Sequence, residues 1–261
     1  METYLETPPL AAHLARADDV ASEIGTAADP DRLGRVQDAV RLSFEGEHGA
    51  RRQFARCAFT SLVASSGSPR LYLDHGPIEQ IESVARCGEP VDLDAAEVRI
   101  SGDRSALYRA GSWPVSPVRD GRRSLDHEVA GVGGWVLPPW LLDGWSATTT
   151  ISAGSWLAIG GVLFTALIGG DSGAAEPTWA DDSDVSDGEV TWRPHPRAQR
   201  LPQDLEIAAV HTVAAWYRGD AMSLSTGILS ENDAGGFISY TRDDGRPAWP
   251  RGVRGIVESY R

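Results

Sequence analysis

The chain has 261 residues, 41% apolar and 23% charged. It is long enough for one large domain or a domain carrying an insertion, and too hydrophobic for wholesale disorder. Its 37 acidic residues outnumber 24 basic ones, all of them Arg, and the formal net charge of -13 disfavours general binding to phosphate backbones. Cys57 and Cys87 have no CxxC or CxH spacing, which excludes a zinc site or a disulfide scaffold and reads as two buried thiols of a reducing compartment.

The N-terminal METYLETPPL is acidic and lacks an apolar run, so no signal peptide is expected and synthesis in the cytoplasm is. The first third reads as helical. Asp29-Pro30-Asp31 offers an N-cap, a proline at the first helical position and an acid near the positive end of the helix dipole. Leu33, Val36, Val40 and Phe44 then form one apolar stripe, closed by Gly46 and Gly49. A second apolar pattern follows through Phe54, Cys57, Ala58, Leu62 and Val63, its type left open, and stops at Ser-Gly-Ser-Pro.

Beyond Pro69 the period shifts. Leu71 and Leu73, then Ile78, Ile81 and Val84, predict two strands joined at Gly76-Pro77. Val98 and Ile100, a Ser-Gly-Asp turn, then Leu107 and Tyr108 predict a hairpin. Residues 113 to 192 hold seven of the nine tryptophans, with frequent Gly and Thr, and predict short strands. The uncharged run from 151 to 170 has the length of a bilayer-spanning helix, but its glycines favour buried strands instead. Helix returns at Pro202-Gln203-Asp204. Leu205, Ala209, Thr212, Val213 and Trp216 give it a stripe, and Gly219 stops it. The tail from Met222 is polar and Gly-rich, and the last residues predict a short helix with Val253, Ile256, Val257 and Tyr260 on one face.

The motifs argue against chemistry. GGDSG around Ser172 and the AAH ending at His13 imitate a serine protease, but Ala-Ala-Glu-Pro follows and the fragment is not Gly-x-Ser-x-Gly. The run DDSDVSDGE imitates a calcium loop, yet Asp187 stands where its glycine belongs and Arg193 where its last Glu belongs. His13, His48, His75, His127, His195 and His211 make no metal-binding pattern, and no Walker loop or dinucleotide fingerprint exists, so no metal and no cofactor is expected.

Two stretches resemble known proteins. GPIEQIESV, GGWVLP and LPQDLEIAAVHTVAAWYRGD, followed by a polar loop and VRGIVESYR, resemble in their order the head–tail connector (adaptor, or head-completion) proteins of long-tailed bacteriophages. Residues 151 to 192 resemble a small β module of phage virion proteins, through Gly170 to Gly173, Glu176-Pro177-Thr178-Trp179 and Asp187-Gly188-Glu189-Val190-Thr191-Trp192. The resemblance implies an α+β fold: a helical bundle with a β-hairpin region, interrupted by an inserted β-rich domain. The expected segments are 1–145 and 196–261 for the adaptor and 146–195 for the insertion.

The same resemblance implies a non-enzymatic virion protein at the head–tail interface, assembled in the host cytoplasm. It would form a ring, dodecameric in that family, beneath the portal. Its partners would be the portal protein, the next connector, stopper or tail component, and copies of itself, with genomic DNA passing through unread and no membrane. Portal docking is assigned to Trp249, Arg251, Arg254, Ile256, Tyr260 and Arg261, and core or contact roles in the module to Trp156, Trp179 and Trp192. The alternative is a binding role for the Trp-rich module, with Trp145 added, toward a glycan, capsid or tail surface. The remote one is a serine hydrolase using Ser172.

Overall fold

The computed structural model describes residues 2–5, 12–219, 229–232, 237–240 and 249–261. Most of the expected polar tail after Met222 lies outside the described residues.

The helices are α1 (Ala17–Ile24), α2 (Pro30–Glu45), α3 (Gln203–Arg218) and α4 (Val253–Ser259). The strands begin with β1 (Glu2–Leu5), β2 (Cys57–Val63), β3 (Arg70–Tyr72), β4 (Ile78–Arg86) and β5 (Glu89–Pro90). Then come β6 (Val98–Ile100), β7 (Ala106–Arg109), β8 (Val118–Arg119), β9 (Arg122–Arg123), β10 (His127–Gly133) and β11 (Trp135–Val136). The region of the module holds β12 (Thr150–Ile151), β13 (Trp156–Ile159), β14 (Val162–Ile168), β15 (Gly170–Asp171), β16 (Val185–Asp187) and β17 (Val190–His195). Last are β18 (Gln199–Arg200), β19 (Leu229–Asn232) and β20 (Phe237–Tyr240).

The expected helical bundle with a hairpin region is therefore corrected: 31% of the chain is strand and 23% helical. The reason is visible in β2, where residues 57, 59, 61 and 63 are buried and those between are half-buried. That period of two fits a pleated strand and no helix. The pattern after Arg52, left open in the sequence, begins the sheet. Nor are both cysteines buried: Cys57 is, whereas Cys87 is exposed at a turn with φ 51.

The chain forms two compact units. The first comprises residues 1–9, 53–136 and 143–199. Its main sheet has the order β1-β2-β10-β4-β5, with antiparallel pairs throughout. A smaller sheet has the order β3-β7-β6, so the predicted hairpin of β6 and β7 is present. The cis Gly76-Pro77 bond lies between β3 and β4, which belong to these different sheets. Phe59, Val63, Leu71, Ile78, Val84, Leu107, Trp113 and Val129 form the shared core. Where the β10–β4 register shifts, a Cβ on Gly131 would sit 2.3 Å from the Gln80 carbonyl oxygen, so only glycine lets the two backbones come that close.

Residues 146–195 fall in this same unit and form a four-stranded antiparallel sheet, β13-β14-β17-β16, beside the pair β12-β15. The uncharged run of 151 to 170 is used up by short strands and the β13–β14 hairpin. Among the described residues no helix is long and apolar enough to cross a membrane.

The second unit comprises residues 10–52, 137–142 and 200–261. The Asp29 carboxylate accepts the Arg32 N–H at 2.8 Å, capping α2 as the sequence requires. The predicted stripe of Leu33, Val36, Val40 and Phe44 is buried. In α3 the buried face is Leu205, Ala208, Ala209, Thr212, Val213 and Trp216, and Gly219 closes the helix in the left-handed conformation at φ 64. Helices α1, α2 and α4 all pack on α3. Burying each such Leu, Val or Phe contributes about 1.5–3 kcal/mol. Polar ties fix the packing: Asp29 N–H donates to the Tyr217 hydroxyl at 2.7 Å, and Gln37 Nε2 donates to the Ala15 carbonyl at 3.0 Å.

Candidate functional site

The docking residues expected at the C-terminus divide into two groups. Trp249 is buried, its ring edge-on to Phe44 at 5.6 Å, and its indole N–H donates to Ser43 Oγ at 3.0 Å. The Tyr260 hydroxyl donates to Asp204 Oδ1 at 2.7 Å. Burial, that hydrogen bond and the Asp204 charge push the phenol up to about 12. Ile256 is half-buried beside Val253 and Val257, which are fully inside. These residues anchor α4 to its own unit. Arg251 and Arg261 are exposed, and Arg254 is half-buried, its guanidinium 5.7 Å from the Trp249 ring. The two exposed cations thus flank a helix held by aromatic packing.

The module has its own organising group. Asp187 alternates inward with Val185 on β16 and is buried. Its Oδ2 accepts the indole N–H groups of Trp145 at 2.9 Å and Trp192 at 3.2 Å, while Oδ1 accepts the Gly173 N–H at 2.8 Å. A carboxylate that gathers three donors is a strong fold-specifying contact. Trp192 and Trp156 are buried, whereas Trp179 is half-buried. Trp179 lies 4.9 Å from the Phe164 ring and 6.0 Å from Trp192, and donates to Glu176 Oε1 at 2.9 Å. The Asp-Gly turn forms as expected, with Gly188 at φ 62.

Ser172 is buried in this turn region. Its hydroxyl donates to the Ser146 carbonyl at 2.7 Å and accepts the Thr149 N–H at 2.9 Å. Those bonds occupy the hydroxyl with backbone, and its proton goes to a carbonyl rather than to an imidazole. His13 lies in the second unit, half-buried, 3.5 Å from Asp38, and burial lowers its pKa. The acidic run is split: Asp184 makes a two-pronged ion pair with Arg193 at 3.0 and 2.9 Å, while Asp187 turns inward. Among the described residues no three His, Cys, Asp or Glu side chains are placed to hold a metal ion.

A second polar centre was not singled out in the sequence. On β4, Glu79 is 8% exposed and sits between Arg56 and His195. Arg56 donates from Nε at 2.6 Å and Nη2 at 3.0 Å, and His195 Nδ1 is 3.0 Å away. Burial alone would raise the Glu79 pKa, but the hydrogen bonds from His195 and Arg56 outweigh it and bring it to about 2. Trp156 closes the cluster, 4.9 Å from the His195 ring and 4.8 Å from the Arg56 guanidinium. Arg56, Glu79, Trp156 and His195 come from four separate stretches of sequence, so spacing carries no trace of them. They tie β17 and β13 of the module to β4 of the main sheet.

No family model matches the chain, and no curated protein matches it. The geometry describes two built interfaces, one inside each unit, and exposed arginines, Arg251 and Arg261, on either side of α4.

Proposed function

We propose that this protein is a structural virion component: a head–tail adaptor subunit that forms a ring beneath the portal, extends the DNA channel and presents a surface to the next connector or tail component. Its work is assembly, not turnover. DNA passes through the ring without sequence recognition, and the ring matches the portal's symmetry, a dodecamer by the resemblance. The portal meets the cations in and beside α4, Arg251, Arg254 and Arg261, while Trp249, Ile256 and Tyr260 hold that helix in place.

The observation that supports this reading most is the convergence of α2, α3 and α4 in one unit. Helices α2 and α3 are separated by most of the chain in sequence, and a subunit that works through its C-terminal helix needs that helix anchored to their shared core. Electron microscopy of the purified protein mixed with the portal protein of the same virus tests it. Coaxially stacked rings are expected; persistent single subunits without portal binding overturn it.

A binding role for the module has one observation in its favour. Leu167 and Ile168 at the end of β14 are 40% and 58% exposed, an apolar pair at a strand end. Trp156 and Trp192 are interior and offer no stacking face to a glycan. Replacing Leu167 and Ile168 by Glu separates the two roles: particles that assemble normally but adsorb poorly favour the binding reading.

A further inference from the structure

A groove of about 660 Å³ lies in the first unit between β4 and β6. Its β4 wall is Ile78 to Ile81, which lies between two backbone hydrogen bonds made by β4, Ile78 N–H to the Arg104 carbonyl and Val91 N–H to the Val84 carbonyl, both 2.8 Å. Between them β4 has β10 on one side only, because β5 reaches no further than Ala85 and Arg86. Across the groove, β6 is the outer strand of its sheet. Two strand edges thus face one trough, the setting in which an extended segment adds as a further strand. Along the groove, from Ile78 to Ile81, β4 runs about 10 Å.

The lining sets the chemistry of the occupant. Ile81, Leu93 and Ile100 are partly buried and form an apolar floor. Arg99, Arg104 and Arg197 stand around it, against one acid, Asp94. Among the described residues Arg99 and Arg197 make no ion pair, and Arg104 donates to the Arg197 carbonyl rather than to a carboxylate. In a chain with 37 acidic and 24 basic residues, cations left without carboxylates around one trough favour an acidic occupant.

This chain supplies such a segment. Residues 174–184 are irregular in backbone, and Asp181, Asp182 and Asp184 are exposed. Asp184 is held by Arg193, whereas Asp181 and Asp182 make no ion pair among the described residues. We infer that the arginine-rimmed groove between β4 and β6 receives the acidic segment around Asp181 and Asp182 of a second copy. The contact deepens the proposed ring by naming a subunit-to-subunit contact, and it rests on self-association of the chain.

The test uses the full chain and sedimentation at low and high salt. Wild type is expected to self-associate, more weakly at high salt. Arg99→Glu with Arg197→Glu, and separately Asp181→Arg with Asp182→Arg, should each weaken association at least about tenfold. Mixing the two variants should restore it, because each reversed surface meets its complement on the other protein. A wild-type chain that stays single at high concentration overturns the inference, as do variants that associate like wild type. If those variants still stack in rings on the portal, the groove assignment falls and the adaptor reading survives. Charge-dependent association without portal binding keeps the groove contact and removes the adaptor reading.

Discussion

Asp187 and Trp192 are diagonal neighbours on the last hairpin of the module, the carboxylate accepting the buried indole N–H at 3.2 Å. Trp145 and the Gly173 N–H share the same acid. Replacing Asp187 by Ala leaves three donors without their acceptor, each costing about 1–3 kcal/mol when buried. Thermal denaturation should show Asp187→Ala destabilised by several kcal/mol, with Asp182→Ala, at an exposed position, within about 0.5 kcal/mol of wild type.

Glu79 makes the first unit acid-sensitive. Its pKa falls from an ordinary 4.5 to about 2 in the folded protein. A carboxylate with a depressed folded pKa adds stability that is fully present above 4.5 and is lost as pH falls toward 2. The amount is on the order of 3 kcal/mol. Urea denaturation at pH 6 and pH 3 should show about 2 kcal/mol of this loss, the rest following as pH falls through 2. The Glu79→Gln variant should start lower at pH 6 and lack that portion of the acid limb.

His127 acts in the same direction at higher pH. It is fully buried on β10, with Nδ1 2.9 Å from Asp126 Oδ1 and its ring edge-on to Trp113 at 5.7 Å. Burial lowers its pKa and outweighs the raising effect of Asp126. A histidine kept neutral by the fold loses stability as pH falls below its unfolded value, about 6.5. Stability measured from pH 7.5 to 5 should decline in wild type and be flatter in His127→Gln.

Gly188 is held at φ 62, and an added Cβ would meet the Asp171 carbonyl oxygen at 2.5 Å. Gly160 has a similar φ of 57 with nothing within 4 Å of its Cβ position. Gly160→Ala should cost about 1 kcal/mol, the left-handed backbone penalty alone. Gly188→Ala should cost clearly more, because backbone has to move as well. Melting temperatures of the pair read the difference.

At the C-terminus, folding and the proposed portal docking can be separated by mutation. Trp249→Ala removes a buried ring packed on Phe44 and should destabilise the second unit by about 3–5 kcal/mol. Reversing Arg251 and Arg261, both exposed, to Glu should leave the melting temperature within about 2 °C while abolishing portal binding. Portal binding that survives the reversal removes those arginines from the interface.

Local rules written into short stretches carried through to the structure. The Asp29-Pro30 start of α2, its buried stripe, the Gly219 stop of α3, the β6–β7 hairpin and the Asp187-Gly188 turn each depend on residues within a turn or two of one another. The stretch after Arg52 stayed open and the balance of strand over helix was overturned, because a short apolar run has no period long enough to choose between the two. Tertiary structure alone decided the remainder. It made Asp187 an acceptor for two tryptophans, gave Ser172 to backbone partners, gathered Arg56, Glu79, Trp156 and His195, and set Arg99 and Arg197 at the rim of one groove. Those groups come together only when strands far apart in sequence pair side by side, and pairing at long range leaves no mark on residue spacing.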